Sequence, residues 1–151
     1  MVGEIDRSHA GELMPAQVIR DTEGREVNLG ALQGRTILIN LWATWCAPCV
    51  EELPLLERFA HQHYGEVRLL TISQDRKGAE VVGPFLAERR FTMIEPWLDP
   101  ESKLEQHYGA GLPVSILYDG SGREVWRIAG AFDWSSAEAA GALDEAIAAT
   151  E

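Results

Sequence analysis

The chain has 151 residues, the size of one ordinary domain, and its 46% hydrophobic and 25% charged residues match a globular fold rather than a disordered or fibrous chain. A formal net charge of -11 and a pI near 4.8 leave no basic stripe for a phosphate backbone or an anionic lipid surface, which argues against nucleic acid and the membrane surface as partners. No run approaches the ~18 apolar residues that span a bilayer, and residues 1–7 lack the apolar centre of a signal peptide.

In chain order, residues 1–14 read as a flexible lead-in and 15–151 as one domain. Segments 17–20 and 25–29, joined by Asp21-Thr22-Glu23-Gly24, read as a hairpin. Segment 36–42 is apolar at nearly every position and rich in branched residues, which marks a strand buried on both faces, with helices on either side of its sheet. Over 48–63 the spacing of Leu53, Leu56, Phe59 and Ala60 predicts a helix whose apolar face extends back to Cys49; Pro54 withdraws one amide from it. A strand over 67–72 follows, then a helix over 79–90 that Pro84 bends or shortens, and a short helix over 102–108. Pro113 opens a strand over 114–118, a turn at 119–122 leads to a strand over 124–128, and an Ala-rich helix covers 136–149. The order predicts an α/β fold with parallel crossovers first and an antiparallel pair last, hence a mixed central sheet flanked by helices.

The chain has two cysteines, Cys46 and Cys49, three positions apart. A structural disulfide usually closes a longer loop. A zinc site needs two further ligands at matching spacing, and the candidates His61 and His63 alternate along a helix and point in different directions, so no metal is expected. Cys46 falls where a buried strand ends and a helix begins. There its sulfur meets unpaired backbone amides and the positive end of the helix dipole, and both favour the thiolate over the free thiol with its pKa of about 8.5. Cys49 lies one turn further along on the buried face, where desolvation keeps it protonated. Pro48 is tolerated in the first turn, where its missing N–H has no helical partner, and it stiffens the ring that a disulfide would close. Ala47 and Pro48 bring no charge, which predicts a pair poised toward reduction rather than a strong oxidant. Trp45 adjoins the nucleophile and offers an apolar contact to a substrate, while Trp42, Trp97, Trp126 and Trp134 read as structural. Glu52 follows Cys49 by three residues and so shares its side of the helix.

The segment Leu38-Ile39-Asn40-Leu41-Trp42-Ala43-Thr44-Trp45-Cys46-Ala47-Pro48-Cys49, followed by Glu51-Glu52-Leu53-Pro54, resembles the thioredoxin-like proteins of the TlpA and ResA group. The likeness runs from about Met14 to the end and includes Tyr108-Gly109-Ala110-Gly111-Leu112-Pro113-Val114. It implies a thioredoxin fold with an N-terminal β-hairpin extension and a helix inserted between the second core strand and the Pro113 strand. It implies Cys46, Cys49 and Glu52 as catalytic residues, with Glu52 tuning the acidity of the cysteines. It also implies that Pro113 is the cis-proline facing them, and that Trp45, Pro48, Leu112 and Pro113 bind substrate, the backbone of Leu112 pairing with an extended client segment. Ordinary thioredoxin resembles this segment but carries a buried acid where Asn40 stands, which leaves Glu52 as the nearest proton acceptor.

The implied activity is protein thiol-disulfide exchange as a reductant in the bacterial periplasm, on the cytochrome c maturation or copper oxidase assembly routes. The implied partners are a disulfide-containing client protein and a membrane thiol transporter as electron donor. A monomer, anchored through a preceding N-terminal segment and needing no cofactor, is expected. Two other readings use the same cysteines. Copper assembly proteins of the Sco type resemble a spacing of three intervening residues plus a distal histidine, whereas two intervene here. A thiol peroxidase would need a lone cysteine near a Thr and an Arg, and Cys46 has Thr44 without that Arg.

Overall fold

The computed structural model describes residues 3–150. Its centre is β4 (Ile37–Trp42), all six residues of which are buried. β4 runs parallel to β5 (Arg68–Ser73) on one side and antiparallel to β7 (Val114–Tyr118) on the other. β8 (Glu124–Ala129) pairs antiparallel with β7. Helix α1 (Ala47–Gln62) connects β4 to β5, and α4 (Ala137–Thr150) follows β8. This is the mixed sheet that the order of elements predicted and the thioredoxin arrangement that the resemblance implied.

Side chains alternate across a strand, so β4 serves two cores. Leu38 and Trp42 pack with Leu53, Leu56 and Phe59 of α1 and with Ala139 and Leu143 of α4. Ile37, Ile39 and Leu41 pack on the other face with Leu104 and Tyr108 of α3 (Lys103–Tyr108). Two faces that both need covering explain why this segment is apolar almost throughout. The exception is Asn40, which by parity faces α1.

The N-terminal hairpin, β2 (Val18–Asp21) with β3 (Glu26–Asn28), joins the sheet through β6 (Trp97–Leu98), which lies beside β5. The inserted helix α2 spans Ala79–Ala87, short of the 79–90 expected. Pro84 removes the amide that would bond Glu80, and the helix lasts only to Ala87; Arg89 then folds back, donating from Nη1 to the Phe85 carbonyl at 2.8 Å. Two short strands were not legible in the sequence. β6 is one. The other is β1 (Ile5–Asp6) within the lead-in, which pairs with β8 at the opposite edge, while Met14 is buried. Strands of two residues have no period to read. Among the described residues no helix is long and apolar enough to cross a membrane.

β8 also carries a buried ion pair. Arg127 donates from Nε and Nη2 to the two carboxylate oxygens of Glu124 at 2.8 and 2.7 Å, with the residues 7% and 3% exposed. Removing one partner strands the other charge, whereas replacing both with apolar groups does not. Arg127→Ala is expected to cost about 3–5 kcal/mol in urea unfolding, with much of the loss recovered in the double variant E124L/R127L. Equal losses in both variants would contradict this.

Candidate active site

β4 ends at Trp42, the chain crosses 43–45, and Cys46 becomes the N-cap of α1 with extended backbone angles, φ -97° and ψ 101°. Its sulfur accepts the Cys49 backbone N–H at 3.4 Å. Pro48 sits in the first turn, where it withdraws no helical hydrogen bond. Cys46 and Cys49 are joined as a disulfide, with their Cα atoms 5.3 Å apart. Cys49 is 1% exposed and Cys46 6%. Both cysteines are thus covered in the disulfide form. Around it the surface is open: Trp45 is 71% exposed, and Ala47 and Pro48 are exposed as well.

The loop before Cys46 is tied down by a carboxylate that the sequence reading did not single out. Asp75, buried just beyond β5, accepts the Thr44 N–H at 3.0 Å, the Thr44 hydroxyl at 2.7 Å and the Ser73 hydroxyl at 2.7 Å. The Gln74 N–H adds a bond to the Trp42 carbonyl at 2.8 Å. The available signal was an acid two residues past a largely buried strand, at the same end of the sheet as the cysteines.

Glu52 is 2% exposed, on the same face of α1 as Cys49. Its Oε2 accepts the Phe132 backbone N–H and the Trp134 indole N–H, each at 2.9 Å. Its Oε1 accepts the Asn40 side-chain amide at 3.1 Å. Burial pushes the Glu52 carboxyl above the ordinary carboxylate range, and these three donors pull against it without reversing it. Glu51, its neighbour, is exposed. Trp134, expected only to pack, is therefore a polar partner too. It is missed because residues eighty-two positions apart share no local pattern.

The Leu112–Pro113 peptide bond is cis. The ladder pairs Val114 with Leu41, so Pro113 stands beside Trp42, at the sheet end where β4 delivers the chain to Cys46. Pro113 is buried, and Leu112 is half-buried just outside β7. All seven residues singled out from the sequence, Trp45, Cys46, Pro48, Cys49, Glu52, Leu112 and Pro113, lie on α1, the loop leading into it, or the loop leading into β7.

The sequence model of the Redoxin family matches residues 9–143. The chain belongs to the redoxin family. Among relatives of this redoxin, the thiol-disulfide oxidoreductase ResA of Bacillus anthracis is 29% identical over 126 residues, covering 83% of this chain and 72% of that protein. The thiol:disulfide interchange protein HelX of Rhodobacter capsulatus is 34% identical over 109 residues, covering 64% of this chain and 53% of that protein. The pneumococcal exposed lipoprotein thioredoxin Etrx1 superposes with a TM-score of 0.73 at 21% identity, over 85% of this redoxin and 98% of that chain. StoA of Bacillus subtilis superposes with a TM-score of 0.68 at 24% identity, over 82% and 95%. Both share the thioredoxin-like fold. With its Cys-x-x-Cys pair at Cys46 and Cys49, this redoxin is a thiol-disulfide oxidoreductase of the ResA type.

The raised carboxyl of Glu52 makes a stability prediction with a definite sign. The unfolded chain loses its Glu52 proton at lower pH than the folded one, so between those two points folding is progressively weakened as pH rises. Urea unfolding of the oxidised protein across pH 4–9 is expected to show the wild type losing stability relative to Glu52→Gln as pH climbs above the ordinary carboxylate range. Parallel pH profiles for the two proteins would contradict the assignment.

Proposed function

We propose that the chain reduces disulfides in client proteins, with Cys46 as nucleophile, Cys49 as resolving thiol and Glu52 as the group that takes the Cys49 proton. The observation that carries the reading is the Cys46 sulfur against a free amide at the start of α1, with Cys49 and Glu52 covered behind it. The Cys46 thiolate attacks one sulfur of a client disulfide; that bond breaks, a Cys46–client disulfide forms, and the other client sulfur leaves as a thiolate. Cys49 gives its proton to the Glu52 carboxylate and attacks Cys46. The client is released with both sulfurs reduced, two electrons having passed to it, and Cys46 and Cys49 end joined. A membrane thiol transporter then restores the pair.

Trp45 and Pro48 form the exposed rim on which a client segment lies, and the Leu112 backbone beside Pro113 offers it a strand edge. The setting is a bacterial periplasm, on the routes that mature cytochrome c or assemble copper oxidase, and the chain acts there as a monomer. Relatives named as a thiol-disulfide oxidoreductase and a thiol:disulfide interchange protein support the exchange chemistry of this reading.

Cys46→Ser is expected to bring catalysed insulin-disulfide reduction by dithiothreitol down to the uncatalysed rate. Cys49→Ala is expected to leave a client covalently attached to Cys46, recoverable on addition of reductant. Turnover by Cys46→Ser, or no adduct on Cys49→Ala in the presence of disulfide-bearing clients, would remove the mechanism.

A further inference from the structure

Asn40 and Ser115 interrupt two apolar strands at facing positions. They are register partners in the β4–β7 ladder, both 1% exposed, on the side of the sheet that α1 covers. The Asn40 amide nitrogen donates to Glu52 Oε1 at 3.1 Å and to the Ser115 hydroxyl at 3.0 Å. Its oxygen Oδ1 is buried with no partner among the described residues. Leaving a buried acceptor unpaired is costly, and an aliphatic residue would pack here without that cost.

The two oxygens of Glu52 are not equivalent. Oε2 faces two N–H donors, Phe132 and Trp134, neither of which can accept a hydrogen bond. A proton arriving on Glu52 therefore goes to Oε1, which faces Asn40. With the amide nitrogen there, O–H would meet N–H. Turning the Asn40 amide over brings Oδ1 to that place. Protonated Oε1 then donates to Oδ1, and the Ser115 hydroxyl, until then an acceptor, rotates to donate to the same atom. Two hydrogen bonds replace two. An amide beside a hydroxyl can make this exchange, since the first carries donor and acceptor on one planar group and the second is both at once.

The geometry points to Asn40 and Ser115 as a two-state adaptor that lets Glu52 gain and lose a proton inside the core while the number of hydrogen bonds stays the same. The adaptor rests on the proposed role of Glu52 as acceptor of the Cys49 proton, and both residues are positioning residues acting through Glu52. On α1, Cys49 shares the face of Glu52 and Glu51 is exposed, while Cys46 caps the helix. The 132–134 segment adds Asp133, which is exposed and bonded to Ser135. Among the described residues β4 gives Glu52 the neutral Asn40 as hydrogen-bond partner, and β7 backs Asn40 with the neutral Ser115.

The test uses the oxidised chain, in which neither cysteine titrates. NMR follows the Glu52 carboxyl carbon and the Asn40 side-chain amide as pH rises. Both Asn40 amide protons are expected to move downfield with the midpoint of the Glu52 titration, because ionised Glu52 and Ser115 engage both. In Ser115→Ala only one of them should move, and Ser115→Thr, which keeps a hydroxyl, should restore the second. Amide signals that stay fixed while Glu52 titrates, or a Glu52 carboxyl that does not titrate at all, would overturn the adaptor. Failure of the catalytic reading shows separately, as absent insulin reduction by the reduced wild type, and leaves these titrations unaffected.

Discussion

Helix α1 begins with backbone N–H groups that no helical carbonyl can reach, and the sulfur of Cys46 lies against one of them. The rest of the site follows from holding that sulfur there. β4, covered on both faces, fixes where the helix starts. Asp75 pins the loop between the two through Thr44, so the sulfur cannot drift away from the amides. One turn later the helix has entered the core and Cys49 is covered. Two chemically identical groups three residues apart thus stand in different settings: the first caps the helix start against a backbone amide, and the second lies inside the core.

On the proposed mechanism Cys49 ionises before it attacks, which calls for proton transfer in the interior. Glu52 sits one turn along the same face, and burial raises its carboxyl while three neutral donors hold it in place. A carboxylate with these donors and, among the described residues, no paired cation is a destabilising element of the core. On the proposed mechanism its presence there serves chemistry rather than packing. The donors come from β4 and from Phe132 and Trp134 in the segment after β8, so Glu52 ties together the sheet and the approach to α4.

Legibility in the sequence followed the range of the interactions. β4 was visible because six consecutive buried positions leave an apolar run, and the Cys46–Cys49 pair because a strand-to-helix junction is written in adjacent residues. Glu52 was visible through its helical spacing from Cys49. Its partners were not: Phe132 and Trp134 reach it across eighty or more positions, and Trp134 looked like any other core aromatic. Ser115 was hidden for a related reason. A lone Ser in Val-Ser-Ile-Leu-Tyr is unremarked until the ladder sets it opposite Asn40. β1 and β6, at two residues each, owe their existence to the strands they pair with rather than to any pattern of their own.

Time-resolved alkylation of the fully reduced protein at neutral pH, with each labelled cysteine located by mass spectrometry, tests the asymmetry of the two sulfurs most directly. Cys46 should be labelled far faster than Cys49, with a rate that rises around a midpoint below the ~8.5 of a free thiol. Equal and slow labelling of both sulfurs would contradict the assignment of nucleophile and resolving thiol.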